Sequence, residues 1–317
     1  MNRLRQARSV MAVFTLSLAQ LTPAFIVAAP VAASPLAAAS VTGTASACGP
    51  ADAGILARGG IADSSGVVRE KDTGQAADPM PASAHGKAPA DFTATVDVYF
   101  HVITDGTLGA LTNAQIASQI RVLNVTYAGG EGGADSGFTF DLAGITRTDN
   151  ARWYDLTSTG SEHEMKQALK QGDDGDLNVY STSGGGYLGW AYLPDITDTN
   201  QSYLDGIVLD WRSLPHVSDA YVNRYDEGET LTHEAGHWLN LEHTFYNGCK
   251  ADGDFIADTP AEKTPTSGCP VGKDTCTAPG LDPIHNYMDY SYDDCYTEFT
   301  PDQVQRMRDA WLLYRAS

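Results

Sequence analysis

The sequence predicts an α/β domain with a largely parallel sheet, preceded by a long N-terminal stretch that does not look globular. Two observations carry that reading. Segments with strand periodicity alternate with segments of helical periodicity from about residue 92 onward, with no internal repeat. The first ninety residues, by contrast, lack a periodic apolar pattern beyond one N-terminal apolar run.

That run defines the first segment. Arg3, Arg5 and Arg8 precede apolar residues from Val10 to about Ala29, the layout of a secretory signal peptide over residues 1–29. Gln20, Thr22 and Pro23 interrupt it, which argues against a membrane anchor, and no other stretch is long and apolar enough to span. Small-residue triplets recur as far as Ala45, Ser46 and Ala47, so the cut can fall anywhere between residues 29 and 47. Residues 48–91 are rich in Ala, Gly, Ser and Pro and read as a propeptide or linker, leaving 92–317 as the folded unit, of ordinary single-domain size. An exported, extracellular protein is expected.

Composition narrows the partners. From residue 92 onward there are 13 Lys and Arg against 34 Asp and Glu, a net charge of −21, which argues against nucleic acid. Of five cysteines, four lie after residue 245, at Cys249, Cys269, Cys276 and Cys295. In an exported chain these imply two disulfides, for which the sequence alone permits three pairings. Cys48 stands apart.

Val96, Val98, Phe100 and Val102 alternate with Asp97, Tyr99 and His101, a half-buried strand with His101 on its polar, solvent-facing side. Thr112 and Gln115 form a capping box ahead of a helical stripe of Ile116, Ile120, Leu123 and Tyr127. Phe138 to Leu142 reads as a second strand and Ser161 to Leu169 as a second helix, with His163 among charged residues. Leu177 and Val179 begin a third strand. After Gly184, Gly185 and Gly186 comes Tyr187 to Leu193, broken by Gly189, where another group is expected to approach closely. Leu188 to Ala191 either line a cleft that takes an extended peptide by strand addition or form a plain hairpin arm. Gly206 to Leu209 is a buried strand.

The residues from His233 to His243, HEAGHWLNLEH, carry the chemistry. Residues four apart share a helical face, so His233 and His237 can point at one ion, with Glu234 beside it as a base that occupies no coordination position. His243 joins them only if the helix stops near Asn240, a residue that tolerates left-handed backbone. Three neutral imidazoles leave tetrahedral zinc with one open position, the catalytic arrangement. A bare HExxH also occurs on ordinary amphipathic helices, and the third histidine at this spacing weighs against that.

Downstream, Asp252, Asp254 and Asp258 in DGDFIADTP supply oxygen ligands of the kind calcium takes, or form a solvated acidic loop. Met288 lies in NYMDY, where a methionine is either core filler or a hydrophobic floor beneath the metal, and Thr300, Pro301 and Gln303 start a final helix with Val304, Met307 and Trp311 as its buried stripe.

Together HEAGHWLNLEH, the DGDFIADTP loop, NYMDY and the four cysteines resemble the pappalysin branch of the metzincin metalloproteases over roughly Thr95 to the C-terminus. The signature of that group has glycine where this chain has Asn240. The resemblance implies a zinc-dependent endopeptidase acting on peptide and protein substrates. It also implies an upper α/β lobe and a lower, irregular, disulfide-tied lobe. It further implies the pairings Cys249–Cys276 and Cys269–Cys295, calcium at Asp254, Asp258 and Thr259, and a supporting role for Tyr290 in the tetrahedral intermediate. It points to Asp294 as the carboxylate favouring a basic side chain after the scissile bond.

Cys48, in SACGP, resembles the cysteine switch of some metzincin zymogens, in which a thiolate blocks the zinc; the competing reading is a lipid-modified cysteine after Ala47. Two rivals remain for the function. One is a zinc protease whose third ligand is a glutamate, against which His243 and NYMDY speak. The other is an inactive adhesion or binding module with the same fold, which would have no need of Glu234.

Overall fold

A computed structural model describes Ala62 and residues 66–316. The signal-peptide segment and Cys48 lie outside the described residues. Six strands form one sheet: β1 (Val68–Glu70), β2 (Ala94–Thr104), β3 (Phe138–Asp149), β4 (Leu177–Thr182), β5 (Tyr187–Ala191) and β6 (Ile207–Asp210), in the order β1-β5-β6-β4-β2-β3. Every pairing is parallel except that of β5 with β6. The reversal places β5 next to β1, and β1 belongs to the segment read as propeptide.

Helices cover both faces. The helices α1 (Asn113–Tyr127) and α4 (Glu229–Trp238) share a core with Val96, Val98, Phe100, Val179 and Leu209. On the opposite face Tyr154 of α2 (Ala151–Asp155) and Met165 of α3 (Thr159–Leu169) pack with Ile103, Tyr180, Trp190 and Val208. The Thr112 and Gln115 side chains form the reciprocal capping box that the spacing predicts.

This two-sided cover corrects one expectation. His101 is not a surface histidine: it is fully buried, with Nδ1 2.7 Å from Thr146 Oγ1 and Nε2 2.9 Å from Asn178 Oδ1, and its ring stacks on Tyr180. Alternation suggested a wet face, but a central strand of a parallel sheet is enclosed on both sides. Its two ring nitrogens find polar partners there, which is what makes the burial tolerable.

Beyond α4 the chain is irregular until α5 (Pro301–Ala310), which opens with a second reciprocal capping box from Thr300 and Gln303. Two disulfides, Cys249–Cys276 and Cys269–Cys295, tie the irregular region together. No helix among the described residues is long and apolar enough to cross a membrane.

Candidate active site

The helix α4 is buried along its whole length and stops where Asn240 adopts φ +74°. That left-handed residue turns the chain so that Leu241 to His243 run back toward the helix. Its side chain then does what a glycine there could not: Asn240 Nδ2 donates to Asp78 Oδ2 at 2.8 Å and Oδ1 accepts from Arg306 at 2.6 Å. Arg306 also donates to the Asn240 carbonyl at 2.7 Å, so the turn is clamped to α5.

The three imidazoles converge. Nε2 of His233 lies 3.2 Å from Nε2 of both His237 and His243, and the latter two are 3.1 Å apart. Nδ1 of His233 lies 2.6 Å from the Tyr287 carbonyl and Nδ1 of His237 lies 2.7 Å from the Leu241 carbonyl. Carbonyls only accept, so these two rings carry their proton on Nδ1 and turn bare Nε2 lone pairs inward. Lone pairs facing one another at that distance call for a cation between them. Nitrogen ligands about 2.0–2.1 Å from a tetrahedral zinc would sit roughly 3.3 Å apart, so the donor set fits the ion.

Glu234 is buried beside this centre. A Cβ on Gly189 of β5 would lie 3.0 Å from its Oε1, so the close approach expected at that glycine is the approach of this carboxylate. One small cavity is lined by Arg69, Glu70, Leu188, Thr230, His233 and Glu234, which places β5 at its wall. Met288 is fully buried under the site, and Gly236 is there because any side chain would meet the Met288 sulfur. The His243 ring stacks on Phe245 at 4.7 Å, and the Tyr290 ring stands 4.8 Å from His243. Burial, with Glu70 and Glu234 adding to it, pushes the Tyr290 hydroxyl well above its ordinary pKa, so it remains a donor.

Two positions differ from the sequence-based expectation. Of the two adjacent acidic residues it is Asp293 that is buried, whereas Asp294 is exposed. Asp293 Oδ2 accepts from the backbone of Glu227 at 2.9 Å and Gly228 at 3.3 Å. Second, a carboxylate that sequence reasoning missed stands among the imidazoles: Glu70 Oε2 is 2.7 Å from His243 Nε2, 3.4 Å from His237 Nε2 and 3.9 Å from His233 Nε2. The one local signal was Val67 and Val68 before Arg69, Glu70 and Lys71, two β-branched residues and a charged triplet inside an otherwise small-residue segment.

In the acidic loop Asp254 is buried and both its oxygens accept from the Thr259 hydroxyl, at 2.7 and 2.9 Å. Asp258 is exposed and accepts from the backbone of Asp302 at the start of α5, and Asp252 is exposed as well.

Comparison with known proteins agrees with this geometry. The family model described as pregnancy-associated plasma protein-A matches residues 189–311. An extracellular metalloprotease of Arthroderma benhamiae is 44% identical over 228 residues, covering 70% of this chain and 74% of the relative. One from Pyricularia oryzae is 44% identical over 242 residues, covering 74% and 81%. Among solved structures, mature mirolysin of Tannerella forsythia in complex with a cleaved peptide is 32% identical with a TM-score of 0.59, covering 68% of this chain and 91% of that one. A promirolysin variant from the same organism is 29% identical with a TM-score of 0.62, covering 72% and 83%. With its three converging imidazoles, the adjoining glutamate and the buried methionine beneath them, the chain belongs to the pappalysin family of metzincins and is an extracellular zinc metalloendopeptidase.

Proposed function

We propose that this endopeptidase binds extended peptides along β5 and prefers a basic residue immediately after the scissile bond, selected by Asp293. The observation that supports the preference is the seat of Arg69. Its guanidinium donates to the Ser291 carbonyl at 2.9 Å and to the Tyr296 hydroxyl at 2.7 Å, and lies 4.2 Å over the Tyr225 ring. Asp293 supplies negative charge to the same group. The seat of Arg69 is therefore already shaped for a planar cation, with carbonyl and hydroxyl acceptors, an aromatic face and a buried carboxylate.

His233, His237 and His243 would hold zinc, which when bound would supply Lewis acidity toward water and a substrate carbonyl. Glu234 takes a proton from the attacking water and passes it to the leaving amine. The Tyr290 hydroxyl donates to the oxygen that becomes negative in the tetrahedral state. The fixed Nδ1 contacts hold two of the imidazoles in register throughout, so little reorganisation is needed during the step.

A second reading concerns calcium. Asp254, with Asp258 and Thr259, would bind the ion. Burial pushes the Asp254 carboxyl up to about 7, and a cation beside it would relieve that cost.

The decisive experiment is cleavage-site mapping of a mixed peptide library by the matured enzyme. Arg or Lys should dominate the position after the cut; an aliphatic preference ends the specificity reading. Glu234→Ala should abolish turnover while zinc stays bound.

A further inference from the structure

We infer that Glu70, rather than a cysteine, is the residue that keeps the precursor silent, by giving its carboxylate to the zinc site as a fourth ligand. The inference rests on the reading of His233, His237 and His243 as a catalytic zinc centre. Three histidines leave zinc one vacancy, and a catalytic site works because water can enter it. Glu70 Oε2 is within 2.7–3.9 Å of all three Nε2 atoms, and Glu70 is 1% exposed. These four residues form one ligand group of the size a single ion needs. A carboxylate in the vacancy converts an open site into a closed one. It is an anion with no leaving group, so it cannot be consumed, and Glu234 is left with no water to deprotonate.

A lone carboxylate would be a weak blocker, and the structure shows what holds this one in place. The strand β1 pairs with β5, with Val68 opposite Tyr187 and Glu70 opposite Gly189. The two neighbours of Glu70 are pinned on either side. Arg69 fills the cation seat described above, and Lys71 pairs with Glu162 at 2.6 Å and lies 4.5 Å over Trp190. Farther along, the Gln75 side chain caps the Leu193 backbone through an N–H···O contact of 2.6 Å, and Asp309 accepts from the backbone of Lys87 and Ala88 at 2.8 Å each. The carboxylate is thus presented intramolecularly, at an effective concentration in the millimolar range or above, instead of from solution. Cutting the segment removes the tethers, and a single carboxylate–zinc contact is then easily displaced by water and substrate.

The test uses the full precursor loaded with cobalt in place of zinc, alongside the matured enzyme, with acetohydroxamate as a probe of the open position. The matured enzyme should change its visible spectrum on adding acetohydroxamate; the wild-type precursor should not, at concentrations that saturate the matured form. Glu70→Gln and Glu70→Ala precursors should bind the probe and cleave a short fluorogenic peptide at least tenfold faster than the wild-type precursor, with intact mass confirming that the pro-segment is still attached. Cys48→Ala should leave the precursor silent. A wild-type precursor that binds acetohydroxamate as well as the matured enzyme overturns the inference, whether or not the variants fold. So do Glu70 variants that stay as silent as wild type, or a Cys48→Ala precursor that becomes active. A matured enzyme that cleaves nothing would instead refute the catalytic-centre reading, so the two failures are distinguishable.

Discussion

Gly189 and Glu234 approach closely: a Cβ on Gly189 would lie 3.0 Å from Glu234 Oε1 and from the Val208 carbonyl, so one of these neighbours would have to give way. Gly189→Ala should therefore shift either β5 or the Glu234 carboxylate proposed as the base. A misplacement of about 1 Å costs about 100-fold, so the smaller shift this contact demands should lower kcat by roughly several-fold. Zinc content should be unchanged, because the three imidazoles take their register from elsewhere. Steady-state kinetics with metal analysis on the same preparation checks both halves.

The preference for a basic residue should depend on pH. Burial, against the opposing pull of its backbone donors and Arg69, pushes the Asp293 carboxyl up to about 6. A raised carboxyl pKa means the group is neutral below that value and negative above it. The ratio of kcat/KM for an arginine peptide to that for a leucine peptide should therefore fall as pH drops through the pKa of this carboxyl in the matured enzyme, which lies higher than in the precursor because the lowering pull of Arg69 is gone. Titrations of the metal centre affect both substrates and cancel in the ratio. Asp293→Asn should remove the pH dependence.

Glu229 sits against Asp293, and burial together with that neighbour pushes its carboxyl up to about 10. Burial and mutual repulsion hold the pair to one negative charge, and the two backbone N–H groups that donate to Asp293 Oδ2 favour its placement on Asp293. Glu229→Gln should accordingly keep the arginine preference to within about twofold, whereas Asp293→Asn should lower it by at least an order of magnitude. Parallel kinetics of the two variants distinguishes a shared charge from a localised one.

The turn at Asn240 should be worth measurable stability. Asn240→Gly keeps the left-handed backbone but loses the side-chain bonds to Arg306 and Asp78. Bonds to charged groups contribute about 1.5–3 kcal/mol each, so a loss of that order is expected, or several degrees in Tm. Asn240→Ala should be worse, since it adds the strain of a left-handed alanine. Thermal melts of the precursor measure both.

Calcium should change how stability depends on pH. The folded-state pKa of Asp254, about 7, lies above its ordinary value of 3.8. A group raised on folding gives its full stabilisation below the unfolded pKa and loses it as pH rises through the folded one. Without calcium the Asp254 contribution should thus decline between about pH 4 and 7, by on the order of a few kcal/mol. Asp254→Asn should flatten that decline, and added calcium should raise Tm at pH 8 in wild type only.

Much of the site was legible because its geometry is local. The four-residue spacing of His233 and His237 follows from helix pitch, and the return of His243 follows from one residue, Asn240, able to take positive φ. The capping boxes at Thr112 and Thr300 are likewise satisfied within four residues. Asp293 and Asp294 were not separable in the same way. They occupy one short 3-10 turn, and which of the two faces inward depends on how that turn docks on Arg224, Glu227 and Gly228. His101 misled because alternation reports one apolar face and says nothing about what covers the other.

The sequence by itself determined the three-imidazole centre and the layered α/β scaffold, since each is written in spacings no longer than a helix or a strand, whereas Met288, far beyond His243, was placed by family resemblance. Only the tertiary structure decided that Glu70 stands among the imidazoles, with its carboxylate 3.3 Å from a hydroxyl 220 residues away on Tyr290. No periodicity encodes such a meeting. It arises because β5 has a free edge that a short strand can complete, and because a buried cation seat nearby accepts the arginine that precedes the glutamate.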